Sequence, residues 1–377
     1  MKKSITCICF LFCLGMDSYA KPENIVLVTI DGLRWQEVFQ GLDTALVEKE
    51  MYTKRRELLK EKFGGESAVS AQRLMPFLHD VIMKKGAVIG NRDAASCARV
   101  TNPWYFSYPG YNEILTGFGD PEIDSNSPVP NPNVTFMEWL QNDVNGFSGN
   151  VVAFASWDVF PFIFNSERSH IPVNVGKLEG ADSEFEKTLN LLQEEIPSPW
   201  ETVRLDAFTH HFALSALQQE KPRVLYIGYG ETDDFAHDGE YDQYILAANR
   251  TDRYLQAIWE TLQSDEQYRD NSVLFITVDH GRGESPIETW QHHASKASLS
   301  GYMEALSTYK DGITGSDAVW MAAIGPGIKN TGLIPTGSDC AGSNQIAATL
   351  LTLLGLDYRQ YSDKAGDPVE AMLDSKE

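Results

Sequence analysis

The sequence predicts an α/β fold: a doubly wound, mostly parallel central sheet with helices on both faces, carrying insertions. Three observations predict it. Apolar runs rich in β-branched residues recur along the 377 residues, separated by segments whose apolar positions have helical spacing. Several of those runs are apolar throughout rather than alternating, as strands covered on both faces must be. Hydrophobic residues make up 42% and charged residues 22%, the balance of a soluble chain that can bury a core. No repeat, low-complexity tract or long polar linker divides the chain. Residues 21–377 therefore read as one domain with insertions near 44–70, 157–200 and 294–316.

The elements follow in order. Lys2 and Lys3 precede the apolar stretch 5–14, and Ser18 and Ala20 stand at a cleavage spacing. Residues 1–20 read as a signal peptide, so the chain is expected to be exported to the periplasm or secreted. The run is too short to cross a bilayer, and no stable membrane insertion is expected. Asn24–Ile30 is a buried strand delivering Asp31-Gly32 to its C-terminal edge, where ligands bind in open α/β sheets. Residues 44–63 are charged and helix-prone, an exposed elaboration. Residues 74–84 are helical, Ala87–Ile89 a strand, and the segment from Ser107 to a glycine stop at Gly117 a short helix. Residues 120–133 are loop; 135–140 open a helix and Val151–Ala155 is a strand. Prolines break up residues 157–200, a substrate-facing insertion. Then come a helix over 202–219, a strand over 224–228, a long helix over 241–262 and a strand over 273–278. A strand over 318–324 and a helix over 345–354 close the pattern.

The formal net charge is −22, which argues against a nucleic-acid-binding surface or anionic lipid as partner. It also repels anionic small molecules. A phosphate-ester substrate would need a concentrated local positive charge, and two bound divalent cations would provide it. Of five cysteines, only Cys97 and Cys340 lie beyond the leader; a disulfide and two free thiols are both open readings.

Three strand ends carry acid or acid-plus-histidine groups: Asp31; Asp233 with His237; Asp279 with His280. Carboxylate oxygen and imidazole nitrogen together suit zinc or a similar first-row divalent ion, manganese among them. Two such ions about 3.5–4 Å apart can clamp both the attacking and departing oxygens of a phosphoryl transfer. Each group also has a plainer reading. Asp commonly ends a strand in a turn, and an Asp–His pair four apart on a helix can be merely solvated. Asp279-His280-Gly281 is the strongest, because a core histidine would hardly be followed by Gly281-Arg282-Gly283. His79, His170, His210 and His211 lack such partners. Ser107, at its helix start, reads either as a cap or as a hydroxyl presented to a phosphate among free N–H groups. Trp104, Tyr105, Phe106, Tyr108 and Trp157 either stack on a substrate or pack the core.

Taken in order, Thr29-Ile30-Asp31-Gly32, Ser107-Tyr108-Pro109-Gly110-Tyr111 through Thr116-Gly117, Asp233-x-x-x-His237 and Asp279-His280-Gly281 resemble the motifs of the alkaline-phosphatase superfamily. Within it the chain looks most like the type I phosphodiesterase and nucleotide pyrophosphatase branch and its exported bacterial relatives. The resemblance implies two metal ions. Asp233, His237 and a later histidine would hold one; Asp31, Asp279, His280 and the nucleophile Ser107 the other. In relatives the last histidine stands three positions after a tryptophan, which selects His293 over His292, although Ala294 replaces the usual glycine. Asn126 would help hold the transferred group. The resemblance implies an exported hydrolase of phosphate esters, a phosphodiesterase or phosphatase, that acts on small molecules through a phosphoseryl intermediate. Type I sulfatases need an arginine where Tyr111 stands. A phosphonate or sulfate ester hydrolase, a phosphotransferase of the same fold, or an exported metal-bearing binding protein without turnover are the rivals.

Overall fold

The computed structural model describes residues 21–374; the signal peptide expected over 1–20 lies outside the described residues. Eleven strands are present among them. They are β1 (Asn24–Ile30), β2 (Ala87–Ile89), β3 (Ala98–Arg99), β4 (Val151–Ala155), β5 (Val173–Asn174), β6 (Val224–Tyr229), β7 (Ser272–Thr277), β8 (Ala318–Val319), β9 (Met321–Ile324), β10 (Gly332–Leu333) and β11 (Ala341–Gly342). Eight form a central sheet in the order β10-β2-β9-β7-β1-β6-β4-β5, and β11-β3-β8 form a small second sheet. In the central sheet β9 alone runs antiparallel to its neighbours, so the mostly parallel α/β architecture expected from the sequence is what is found.

β1 is the centre of this arrangement. All seven of its residues are buried, and β7 and β6 pair with its two edges in parallel register. Its Ile and Val side chains are stiff at χ1 and fit a pleated surface covered on both sides. Each fully buried Ile, Leu or Val contributes about 1.5–3 kcal/mol. Helix Tyr241–Ser264 makes the crossover from β6 to β7 and buries Ile245, Ala248, Thr251, Asp252, Leu255, Ile258 and Leu262, a stripe of helical period facing the core.

Two sequence expectations change and one open reading is decided. Residues 44–63 form no exposed elaboration but two helices, Thr44–Val47 and Arg56–Phe63, whose Leu46, Val47, Leu59 and Phe63 are buried in the main core. Residues 318–324 are two strands: β8 joins the small sheet and β9 the central one. Cys97 and Cys340 form a disulfide, just before β3 and β11, which pair in parallel.

Candidate metal centre

Parallel register brings the acidic strand ends together. Thr29 of β1 is level with Thr277 of β7 and Gly228 of β6, so Asp31 and Asp279 leave adjacent strands at the same height. Helix Glu231–His237 starts directly beyond β6 and carries Asp233 and His237 one turn apart, with Asp233 Oδ2 3.1 Å from His237 Nε2. Gly32 makes the turn after Asp31 at φ +58°. A Cβ there would lie 2.7 Å from both Asp233 Oδ1 and Arg282 Nη1, so only glycine suits the position. Its N–H donates to Asp279 Oδ1 at 3.1 Å.

Ser107 reaches this edge from a separate helix, Ser107–Thr116. Phe106, not Ser107, occupies the N-cap position, and no side chain caps the helix. The Ser107 hydroxyl instead lies 3.4 Å from His280 Nε2. Gly110 brings the helix onto the end of β7: any Cβ there would overlap the Asp279 carbonyl oxygen. The segment entering the helix is tied down by Glu113, whose buried carboxylate accepts four hydrogen bonds of 2.8 Å from Thr101 and Asn102. Burial pushes the Glu113 carboxyl up, and these bonds pull it back. The Asn102 side-chain oxygen in turn accepts the Trp104 and Tyr105 N–H groups.

The histidines are oriented through their far nitrogens. Assigned from its partners, the Nδ1–H of His280 donates to the Gly281 carbonyl (2.9 Å) and that of His293 to the Tyr105 carbonyl (3.1 Å). This is the usual way a ligating imidazole is held with Nε2 toward its metal. The two rings stack 3.6 Å apart. His293 Nε2 is 3.1 Å from His237 Nε2 and 3.8 Å from Asp233 Oδ1. His280 Nε2 is 3.4 Å from Asp31 Oδ1 and 3.3 Å from Asp279 Oδ2. Two groups able to hold an ion result, Asp31–Asp279–His280 and Asp233–His280–His293, with His280 between them. His292 belongs to neither; its half-buried imidazole is pushed down to about 4 by burial and by His237 and Arg282.

The residues fit a cation. Asp31 Oδ1 and Asp279 Oδ2 are buried with no hydrogen-bond partner, although a buried carboxylate oxygen ordinarily finds one. The remaining oxygen of Asp31 accepts the Tyr111 hydroxyl at 2.8 Å. Burial, then repulsion from Asp233, raises Asp31; burial, then repulsion from Asp31, lifts Asp279 well above the carboxylate range. Burial lowers His280, but Asp279, Asp31 and Asp233 outweigh it and push the imidazole up to about 9. Burial also opposes the charged form of Asp233, yet His237 and Arg282 hold it well below its usual value. His293 is depressed by burial and by His280. A site that crowds three carboxylates and three imidazoles is one that divalent positive charge relieves.

The residues singled out in the sequence, Asp31, Ser107, Asp233, His237, Asp279, His280 and His293, thus meet at one sheet edge. Asn126 joins them over the first turn of the Ser107 helix, its side-chain oxygen accepting the Tyr108 N–H at 2.9 Å. Among the other histidines, His79 bonds the Val38 carbonyl, and His210 meets the Tyr229 hydroxyl and stacks on Tyr254. Phe106 and Tyr108 are buried as core, and Trp157 packs against Tyr111 and Phe160. Sequence reasoning did not assign Tyr111, Glu113 or Arg282. Only Arg282 left a signal, a charged residue between two glycines directly after Asp279-His280-Gly281.

Comparison with known proteins agrees with this geometry. Residues 202–297 match the family model described as the metalloenzyme superfamily. No curated protein matches the sequence. Among solved structures, wild-type alkaline phosphatase PafA is similar at a TM-score of 0.56 and 12% identity, over 94% of this chain and 99% of that one. A putative sulfatase from Bacteroides thetaiotaomicron is similar at 0.57 and 14%, over 93% and 74%. The lipoteichoic acid synthase LtaP from Listeria monocytogenes is similar at 0.51 and 14%, over 95% and 77%. The chain therefore has an alkaline-phosphatase-like fold, and its segment 202–297 matches the metalloenzyme superfamily model.

Proposed function

We propose that this protein is an exported hydrolase of phosphate esters, with phosphodiesters as its first substrate class, that works through Ser107 and two divalent ions, zinc by preference. One observation carries the reading. The Ser107 hydroxyl stands 3.4 Å from His280 Nε2, beside two buried carboxylate oxygens, of Asp31 and Asp279, that have no hydrogen-bond partner. Asp31, Asp279, His280 and Ser107 would hold one ion, and Asp233, His237 and His293 the other. When bound, such ions lower the pKa of a coordinated hydroxyl and offset the charge of the phosphoryl oxygens.

The chain's own residues supply the rest. Ser107 Oγ forms a bond to phosphorus while the bond to the leaving alcohol breaks and that alcohol takes up a proton. A diester leaves its second alcohol on the phosphoseryl group and a monoester leaves phosphoserine. Water then cleaves the Oγ–P bond to release a monoester or phosphate respectively. In the first turn of the Ser107 helix the Tyr108 N–H is taken by Asn126 Oδ1, the Gly110 N–H by the Phe106 carbonyl, and Pro109 has none. That leaves the Ser107 N–H to meet the incoming anion. With its Oδ1 occupied by Tyr108, Asn126 has its amide N–H groups left to donate to the transferred group. A sulfate-ester reading draws on the sulfatase among the similar structures. Against it, Tyr111 stands where the sulfatase motif needs arginine, and its hydroxyl is engaged with Asp31.

Protein loaded with Zn2+ or Mn2+ should turn over bis-p-nitrophenyl phosphate, and p-nitrophenyl sulfate much more slowly. Ser107→Ala should lose roughly 10³-fold or more in turnover. It should keep at least the ion of Asp233, His237 and His293, and it should keep its melting temperature, since the hydroxyl caps nothing. Wild type quenched in acid during turnover of bis-p-nitrophenyl phosphate should carry p-nitrophenyl phosphate on the Ser107 peptide. Near-normal diesterase activity in Ser107→Ala would rule out the covalent route.

A further inference from the structure

We infer that Arg282 is the positioning residue of the metal centre, a buried guanidinium that fixes Asp233 and the loop carrying His293 in one arrangement. The inference rests on the two-ion reading above. Arg282 leaves the end of β7 two residues after His280, and its side chain is fully buried. Three donors of the guanidinium are used on three different targets. Nη1 donates to Asp233 Oδ1, Nη2 to the Gln291 carbonyl, and Nε to the Trp290 carbonyl at 2.9 Å. Trp290 and Gln291 end the short helix Ile287–Gln291 that delivers His292 and His293. One rigid planar group therefore ties the β7 exit to both the aspartate and the histidine loop of the second ligand set.

The surroundings are built around that group. Gly32 has no room for a Cβ because Arg282 Nη1 and Asp233 Oδ1 fill the space, so the Asp31 turn is shaped to admit the ion pair. Arg282 holds Asp233 by Oδ1, and Oδ2 faces His237 Nε2 at 3.1 Å. Lysine cannot reproduce the arrangement: an ammonium is a compact point charge and cannot span three separated acceptors in one plane. The full charge next to Asp233 distinguishes this device from packing alone. The guanidinium takes Asp233 Oδ1, the oxygen that also faces His280 and His293, so it fixes the orientation of the carboxylate within the ligand set.

The test is Arg282→Lys, with Arg282→Gln beside it, read by equilibrium competition for Zn2+ against a chromogenic chelator and by the visible absorption of the Co2+-substituted protein. Outer partners of ligating groups typically set metal affinity by 10–100-fold. Arg282→Lys should weaken one of the two ions by that factor and change the Co2+ spectrum, with near-UV circular dichroism preserved and the other ion unaffected. Asp279→Ala runs in parallel and should lose the other ion. If Asp279→Ala loses an ion while Arg282→Lys binds both within twofold and keeps the wild-type spectrum, Arg282 is packing and the inference is wrong. If neither variant changes metal uptake, the two-ion reading fails and takes the inference with it. Should the Arg282 variants not fold, a crystal structure of wild type grown with Zn2+ decides. The guanidinium should remain on Asp233 and on the Trp290 and Gln291 carbonyls; one swung away from Asp233 overturns the role.

Discussion

His280 stands between both ligand groups of the candidate metal centre. Its Nε2 is within 3.7 Å of Asp31, Asp233, Asp279 and Ser107, and its ring lies flat on His293. A neighbour that fails to take its share of that charge leaves the rest uncompensated, so single substitutions here should be read by metal content before activity. His293→Ala should lose about one metal equivalent per chain, whereas His292→Ala should keep both, because His292 stands outside both ligand groups. Elemental analysis after loading and desalting decides; the reverse result would show that the spacing from Trp290 was misread. At this scale the acids and histidines were legible in the sequence because strand ends advertise them: a buried apolar run, then Asp or Asp-His, then glycine. Glu113, Tyr111 and Arg282 were not, since nothing in local spacing tells a buried charged residue which distant carbonyl or carboxylate it will meet.

At the scale of elements, the Ser107 helix and the end of β7 are set by contact rather than by a flexible linker. Gly110 against the Asp279 carbonyl is the point of closest approach. A Cβ at Gly110 would stand 2.4 Å from that backbone oxygen, so Gly110→Ala must push the two apart by about 0.6 Å or more. The cost in stability should be about 1–3 kcal/mol, as for overpacking elsewhere. Turnover should fall by more than that loss explains, because small misplacement of a reacting group is expensive. Urea unfolding and kcat measured on the same preparation make the comparison, and an unchanged kcat would mean the helix has slack. Long elements were readable in advance: β1, β4 and the helix Tyr241–Ser264 have enough residues for a period to show. The strands β3, β5, β10 and β11 have two residues each, and two residues carry no periodicity. The break at Trp320 between β8 and β9 was hidden for a related reason, since the run 318–324 stays apolar straight through a change of sheet.

Across the whole molecule, the chain spends its charge on the surface and its chemistry at one edge. The net charge of −22 gives an anionic ester no general attraction, so recognition is left to the centre itself. Among the described residues no helix is long and apolar enough to cross a membrane. The fold class was legible from the alternation of elements. Convergence of the ligands was legible too, once β1, β6 and β7 were taken as parallel neighbours, because a parallel sheet puts all its strand ends on one side.

The central position of β1 has a consequence for how the protein is made. β1 precedes every other strand among the described residues and yet lies in the middle of the sheet, where Ile25 pairs with Val224 on one side and Val273 on the other. A nascent chain must therefore carry an apolar strand with two open edges until some two hundred further residues have emerged, and pairing at such sequence separation is slow. A fragment of residues 21–223 should be digested by protease at rates typical of unfolded chains and should aggregate, while the full chain resists. The sheet cannot close around β1 until β6 and β7 have both emerged, and the acidic strand ends of the metal centre meet only at that moment.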